Sequence, residues 1–500
     1  RAGAGRPGEP RADARASQRA EQNRVAALRQ EGREVAEMRD TLRELRLENA
    51  ALQQRNQELE EQILTEATRP RTPSIETQML RESAERAEEE RLAAVQEKQE
   101  ALLRAQQMEE KYLQENLLRK QCHNTIQDMK GNVRVFCRVR PRMHAEEESG
   151  DPMVVHCEDN FKVSLDAAKG PPRGPYLFDA VFGPECTQEQ VFADCRDLVQ
   201  SAMDGFNVTV FTYGQTGAGK TYTLYGSREE PGIAPRTMRS IFDKLEEFSG
   251  SLEAMVSCSM IELYQDTLFD MLAEDKPLTP RRMTTARGPV MKISKDARGA
   301  VCVDGAIEKR VESFQELERT MWNGIEKRRS AESKMNATSS RSHLIFTAMI
   351  ETYNKFTRVH SFGKVCLVDL AGSERTKRSL AEGEQMEEAK SINRSLSALG
   401  DVISALTEKE KHVPYRNHKL TQLLSDALGG TAKCLMFVNV SPVGSSAFES
   451  SSSLQYATRA KQIRNRVAKK EEGDDMAKLR QENAQLRAAL AAAGLSLEPR

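Results

Sequence analysis

Nine cysteines are scattered through 500 residues without a single C-x-x-C pair or a regular spacing. That excludes a disulfide framework and leaves reduced, mostly buried thiols of the cytosolic kind. No apolar run approaches the ~20 residues that a membrane helix needs, so no membrane span is expected. No secretory signal is visible, in a chain that opens on Arg1 rather than Met and is therefore expected to be a fragment or a processed product. Charge excess is lacking too: the formal net charge is −1, which argues against a general polyanion binder such as a nucleic-acid partner and leaves room only for a local basic surface. Large apolar residues are almost missing from residues 1–22, a stretch rich in Arg, Ala and Gly that cannot bury a core and is expected to be disordered.

The length suits one large domain with extensions. From Leu28 onward Leu28, Val35, Leu42, Asn49, Asn56 and Ile63 recur every seven residues, and Met38, Leu45, Leu52 and Leu59 follow the same period offset by three. These are the a and d seams of a coiled coil over residues 23–64, and Asn at two a positions favours one register and a parallel homodimer. Pro70 and Pro73 interrupt it, which predicts a hinge over 65–77. A second helical run over 78–130 has a poorer seam, with Ala and Gln where Leu would be expected, and reads as a weak coil or a partly single helix. It ends at Lys130-Gly131.

At Asn132 the composition turns globular. Val133, Val135, Phe136 and Val139 alternate with Arg134 and Arg138 as in a strand. Strand-like and helix-like runs then alternate to about Val467, predicting an α/β domain with helices layered on a mixed sheet. Clusters at Gly170-Pro171-Pro172 and Asp275-Lys276-Pro277 predict surface loops. A short heptad closes the chain, with Met476, Asn483, Leu490 and Leu497 against Leu479, Leu486 and Ala493.

The segment Gly214-Gln215-Thr216-Gly217-Ala218-Gly219-Lys220-Thr221 follows the apolar run Val208–Phe211. It has the pattern G-x-x-x-x-G-K-[ST]: glycines let successive N–H groups point at phosphate oxygens, Lys220 can reach the β- and γ-phosphates, and Thr221 can ligate Mg²⁺. A second apolar strand, Val365–Val368, ends in Asp369, where a carboxylate can hold Mg²⁺ or a water bound to it. Next comes Leu370-Ala371-Gly372-Ser373-Glu374, in which the Gly372 N–H can sense a γ-phosphate. In Asn336-Ala337-Thr338-Ser339-Ser340-Arg341-Ser342-His343, consecutive hydroxyls beside Arg suit a loop closing on a phosphate and its metal. The Asn-Lys-x-Asp block of guanine-selective enzymes is missing, which favours ATP.

These three blocks, in this order, resemble the phosphate loop, switch I and switch II of the kinesin motor domain. Arg138-Val139-Arg140-Pro141 is similar to the family's adenine border, and His412-Val413-Pro414-Tyr415-Arg416-Asn417 to its microtubule-facing loop. The resemblance covers about residues 131–468 and implies a P-loop NTPase fold with ATP and Mg²⁺ as its ligands. It implies that Arg138, Arg140, Pro141 and Tyr222 border the adenine, and that Asn336 and residues 215–221 bind the nucleotide. Ser340 would join Thr221 and Asp369 at Mg²⁺, and Ser339 would place the attacking water. Arg341 and Glu374 would form the salt bridge that closes the switches, Glu374 relaying a proton. Arg375, Lys377, Arg378, Arg394, Arg416 and Lys419 would face acidic tubulin.

A coil that enters the motor through Lys130-Gly131-Asn132 resembles the neck of class-fourteen, C-terminal-motor kinesins, which implies a dimeric ATPase moving or sliding microtubules minus-end-ward, on the cytoplasmic microtubule cytoskeleton, the spindle included. Arg459–Asn465 instead looks like the neck linker of plus-end motors, which keeps a plus-end motor as an alternative, beside a weakly motile crosslinker. The calmodulin-binding kinesins of plants and algae combine both features. Tyr264-Gln265-Asp266 and His418 depart from the usual kinesin pattern in that subgroup's direction. Its calmodulin-binding helix is basic and aromatic-anchored, whereas residues 476–497 hold no Trp, Phe or Tyr, which argues against calmodulin. The segment 469–500 is then a linker and short helix expected to regulate the motor.

Overall fold

The structure, a computed structural model, describes residues 50–51, 53–65, 75–131, 133–166, 173–273, 291–332, 338–374 and 384–473. The disorder expected for residues 1–22, most of the first heptad seam, Pro70 and Pro73, both predicted Pro/Gly loops, Asn336, Arg375, Lys377, Arg378 and the closing heptad lie outside the described residues. The chain divides into two compact units, Arg1–His123 and Asn124–Arg500.

In the first unit the chain is helical over 53–65 and again from Ile75. Helix α1 (Ile75–Lys130) is polar almost all round, with exposed ion pairs Arg91–Glu88 at 3.3 Å and Arg104–Glu100 at 3.1 Å. Such i,i+3 and i,i+4 pairs each add only a few tenths of a kcal/mol, roughly 0.3–0.5, and do not by themselves hold a helix this long. Leu92, Leu103 and Leu118 stand more than half exposed along it. The helix stops where Gly131 takes φ +94°, the left-handed position that glycine adopts without strain.

The second unit is built on a mixed sheet. Its strands in chain order begin with β1 (Val133–Val139), β2 (Val155–Cys157), β3 (Lys162–Leu165), β4 (Arg173–Leu177) and β5 (Ala180–Phe182). Next come β6 (Asn207–Tyr213), β7 (Leu252–Tyr264), β8 (Thr267–Asp270), β9 (Lys292–Lys295) and β10 (Val301–Asp304). The series ends with β11 (Lys309–Val311), β12 (His343–Asn354), β13 (Val359–Asp369), β14 (Lys433–Val440) and β15 (Glu471–Gly473). The main sheet runs β11-β7-β12-β13-β6-β14-β1-β5, with β8 paired to β7 and β15 to β13. Strands β13, β6, β14, β1 and β5 are mutually parallel, and β7 and β12 are antiparallel neighbours. β2-β3-β4 and β9-β10 form separate small sheets.

Helices cover both faces, each with its own core. On one face lie α2 (Arg196–Met203), α3 (Lys220–Leu224), α4 (Ile233–Glu247) and α5 (Phe314–Glu332), with Leu198, Met238, Leu317 and Trp322 packed against Phe136, Val210 and Leu367. On the other lie α6 (Glu384–Thr407), α7 (Lys419–Leu423) and α8 (Ala447–Ala460), with Leu399, Leu420 and Leu454 packed against Val135, Phe211 and Val368. The alternation of β1 predicted a strand; the strand is there, and all seven residues are buried, Arg134 and Arg138 included. A parallel strand covered on both sides cannot present arginines to water, so they must find partners inside. All nine cysteines are free, and burial pushes the thiols of Cys137, Cys195, Cys366 and Cys434 up, away from the reactive thiolate.

One ion pair inside this unit is almost dry. The Lys364 ammonium on β13 donates to Asp426 Oδ2 at 2.9 Å and to the Val301 carbonyl at 2.8 Å, with side chains 5% and 6% exposed. It ties the sheet to β10 and to the turn after α7. Lys364→Met is expected to leave Asp426 buried and unpaired and to lower the unfolding free energy by about 3–5 kcal/mol. Pairing it with Asp426→Leu should recover most of that loss in a denaturant titration.

Candidate nucleotide site

The parallel strands β6 and β13 end side by side, with Thr212 opposite Asp369 in register. The loops that follow them therefore share the carboxyl edge of the sheet, where ligands bind in open α/β folds. After β6 the chain winds through Gly214 at φ +147°, Gly217 at φ +78° and Gly219 at φ +92°, then enters α3 at Lys220. Gly214 is fixed by space as well as conformation: a Cβ there would lie 2.2 Å from the Asn439 carbonyl. At Gly217 an added Cβ would meet nothing within 4 Å, so the crown of the loop is open to close approach.

Side chains from the end of β1, from the loop itself and from α3 brace it. Arg140 Nε donates to the Gly217 carbonyl at 2.7 Å, while its other nitrogens reach Glu146 and the Ser441 hydroxyl at 2.9 Å. Gln215 Nε2 donates to Ser446 Oγ at 3.0 Å. Arg138 is buried and donates to Gln188 at 2.8 Å and Thr223 at 3.1 Å, with its guanidinium 5.3 Å from the centre of the Tyr222 ring. Tyr222 donates through its hydroxyl to Glu230 at 2.6 Å and leaves 43% of its surface exposed beside the loop. Lys220 folds back, its ammonium donating to the Gly214 and Gln215 carbonyls at 2.9 and 3.0 Å; burial lowers its pKa.

The pair expected at Mg²⁺ meets directly: Thr221 Oγ1 donates to Asp369 Oδ2 at 2.7 Å. Thr212 Oγ1 donates to Asp369 Oδ1 at 3.1 Å, and Arg328 on α5 donates to Oδ2 at 3.1 Å. Arg328, itself 3% exposed, also donates to the Ser342 carbonyl at 3.0 Å and lies 3.5 Å from Glu262 on β7. The Ser342 hydroxyl donates to the same Glu262 carboxylate at 2.5 Å. Sequence reading missed Arg328, Glu262 and Thr212, and gave Ser342 no role. Arg328 sits in the run Lys327-Arg328-Arg329, which looks like a solvated helix face. Glu262, a lone carboxylate inside the strand Met260-Ile261-Glu262-Leu263, was the available signal, because a buried charge demands a partner.

The two switch segments touch through backbone. Gly372 N–H donates to the Ser340 carbonyl at 2.8 Å, and Ser373 N–H to the Gly214 carbonyl at 3.1 Å. The Gly372 N–H, which the sequence reading aimed at a phosphate, thus donates to the switch I segment in this structure. The salt bridge implied between Arg341 and Glu374 is also not formed here. Glu374 accepts from the Thr216 N–H at 2.8 Å and from its hydroxyl at 2.5 Å, two donors that match the two carboxylate oxygens. Behind the switches, His343 Nδ1 accepts from the Ala371 N–H at 3.0 Å, and its Nε2 meets Ser395 Oγ on α6 at 2.8 Å. Burial, followed by the nearby charges of His418, Arg328 and Lys220, lowers the His343 pKa to about 3, so the ring is neutral and Nε2 carries the proton.

The donor set suits a triphosphate with its metal. A glycine-wound loop, a lysine, a threonine hydroxyl and a strand-end aspartate converge, whereas among the described residues no group of three or more His, Cys, Asp or Glu forms a protein-only metal cage. That is the usual economy of Mg²⁺, which takes few protein ligands and keeps phosphates and waters.

The family description "Kinesin motor domain" matches residues 138–463, well over half of the chain. The chain belongs to the kinesin family. It is 46% identical over 363 residues to the kinesin-like protein KIN-14I of Oryza sativa subsp. japonica, and 44% identical over 369 residues to KIN-14E of Arabidopsis thaliana. These alignments cover 73% and 74% of this chain and 28% of each relative, so the chain spans little more than a quarter of their length. A solved structure described as that of a fast kinesin superposes with a TM-score of 0.62 at 36% identity, covering 69% of this chain and 95% of that one. Kinesin motor domains are microtubule-stimulated ATPases that bind ATP with Mg²⁺, and both of these relatives are named KIN-14 kinesins.

Of the cations expected to face tubulin, three lie among the described residues. Arg394 on α6 and Arg416 are exposed, and Lys419 begins α7, its ammonium donating to the Asp266 carbonyl at 2.6 Å. Among the described residues no helix is long and apolar enough to cross a membrane.

Two outcomes follow from this geometry. A Cβ at Gly372 would lie 2.3 Å from both Thr216 Oγ1 and a Glu374 oxygen, so Gly372→Ala must push the Glu374 carboxylate off Thr216; microtubule-stimulated turnover should fall, up to about 100-fold if that shift misplaces reacting groups by an ångström. His343 is neutral when folded and titrates near 6.5 when unfolded, so the unfolded chain binds the extra proton and stability falls as pH drops below about 6.5 towards 3. Each pH unit in that window costs up to about 1.4 kcal/mol at this one residue. His343→Gln should flatten that part of the stability–pH profile.

Proposed function

We propose that this chain is a dimeric, microtubule-stimulated ATPase that drives minus-end-directed movement or sliding of microtubules in the cytoplasm. The observation that carries the direction is a bond between neck and motor. Lys433 Nζ, at the start of the central strand β14, donates to Asn124 Oδ1 near the end of α1 at 3.1 Å and to Ser201 Oγ on α2 at 3.0 Å. A strand whose far end borders the phosphate loop thereby holds the last turns of the neck helix. Movement of the core relative to that contact would swing the helix as a lever. The exposed leucines along α1 and the heptad before it support a homodimer.

At the site, Arg138, Arg140, Pro141 and Tyr222 would border the adenine, and the loop from Gln215 through Thr216, Gly217, Ala218, Gly219 and Lys220 to Thr221, together with Asn336, would hold the phosphates. Thr221, Ser340 and Asp369 would hold Mg²⁺, which neutralises phosphate charge when bound. Ser339 would orient the attacking water, and Arg341 would take Glu374 from Thr216 as the switches close, with Glu374 relaying the proton and Gly372 reporting the γ-phosphate. Positioning and charge stabilisation would supply most of the rate. Arg375, Lys377, Arg378, Arg394, Arg416 and Lys419 would meet acidic tubulin.

A second reading has its own observation. Residues after α8 lie along the motor as a plus-end linker would: Asn465 Nδ2 donates to the Ala432 carbonyl at 2.7 Å, Arg466 N–H to Gly430, Lys470 N–H to Gly205, and β15 pairs with β13. Gliding of polarity-marked microtubules over the surface-bound chain decides between them. Plus ends should lead, Asn124→Ala should slow gliding several-fold while ATP turnover persists, and truncation after Ala468, which spares the buried Ile463 and Asn465, should keep the direction. Minus ends leading would hand the power stroke to the segment after α8.

A further inference from the structure

The turn between β7 and β8 holds two non-glycine residues in the left-handed region, Gln265 at φ +46° and Asp266 at φ +61°. Such a turn persists when its surroundings over-determine it, and here they belong to the two helices that follow switch II. Asp266 Oδ1 lies 2.7 Å from His418 Nε2, Asp266 Oδ2 lies 3.9 Å from Arg394 on α6, and the Asp266 carbonyl accepts from Lys419 on α7. His418 is the cap of α7: its Nδ1 accepts from the Leu420 N–H at 3.0 Å, and its side chain is only 3% exposed.

A histidine can cap a helix in this way only as the Nε2–H tautomer, because Nδ1 must offer a lone pair. The buried Nε2–H then needs an acceptor. Its contact to Asp266 is short but not aligned as a hydrogen bond, and among the described residues Nε2 has no hydrogen-bond partner, so the Asp266 oxygen is the acceptor within reach. The Arg394 contact is long and joins side chains 70% and 42% exposed, so it contributes little. The weight of the arrangement rests on the Asp266–His418 pair.

We propose that Asp266 is a positioning residue for microtubule coupling: by accepting His418 it fixes the cap of α7 and holds α7 against α6 and the β7–β8 turn. This rests on the reading of α6 and α7 as the track-facing helices. None of these atoms touches the phosphate loop, so the effect should fall on coupling to the track and spare basal turnover.

The test is ATP turnover by the full chain, without microtubules and across a microtubule titration. Asp266→Gly keeps the left-handed turn without strain and deletes the carboxylate. It should raise the half-saturating microtubule concentration about fivefold, the scale of a lost cap contact, with basal turnover within about twofold of wild type. Asp266→Asn keeps an acceptor and tolerates the same φ, and should behave like wild type. His418→Ser caps α7 without needing an acceptor, so adding Asp266→Gly to it should change little. Unchanged microtubule dependence in Asp266→Gly would overturn the proposal. So would a parallel fall in basal turnover, an Asn variant as impaired as Gly, or a full Gly effect in the Ser background. If Asp266→Gly does not fold, His418→Ala removes the contact from the other side and must show the same rise. Wild-type turnover that ignores microtubules would instead sink the motor reading, and this one with it.

Discussion

A carboxylate with 1% of its surface exposed needs polar partners in place of water, and Asp369 has three among the described residues: the Thr212 and Thr221 hydroxyls and the Arg328 guanidinium. Much of the site hangs from that requirement. Thr212 is on the neighbouring strand and Thr221 lies in the first turn of the helix after the phosphate loop, so one carboxylate fixes two edges of the nucleotide site. Arg328 must be buried to reach it, and a buried guanidinium has more donors than one carboxylate satisfies. Ser342 and Glu262 take the rest, which brings switch I and β7 into the same network.

From this hub the coupling runs through contacts with two discrete partners rather than through soft packing. The segment after Asp369 turns back on the loop through Ser373 and Glu374, while Ala371 donates to His343. His343 lies at the start of β12 and reaches Ser395 in the middle of α6. Its neutral ring has one acceptor and one donor, and both are used, so a shift of switch II relative to α6 must break one of the bonds. That gives the site a physical connection to the helix that follows it, and the adjoining Arg394–Asp266–His418 contacts extend it to α7.

The sheet supplies the rigidity on which this depends. Its central strands are buried on both faces, and the two cores on either side keep the strand ends in register. At the opposite edge from the nucleotide loops, β14 begins at Lys433 with its bond to Asn124, and residues 465–473 lie along the turns that precede β6 and β14. Asn124 and the segment after α8 are thus both bound at the edge of the sheet remote from the phosphate loop.

The amino-acid sequence by itself determined the family and the local elements of the candidate site. The loop at 214–221, the strand-ending Asp369, the hydroxyl run before His343 and the glycine that stops α1 are local signals, because winding a loop, ending a strand or stopping a helix depends on neighbours in the chain. The layered α/β architecture was legible for the same reason, through alternating apolar runs. Tertiary structure alone decided which charges pair. Arg328 lies 41 residues from Asp369 in the chain, and Lys433 is 309 residues from Asn124. No periodicity encodes such meetings, since they are set by which strands lie side by side and how deeply a charge is buried. The same holds for Glu374, whose two carboxylate oxygens meet the N–H and the hydroxyl of Thr216, 158 residues away in the chain.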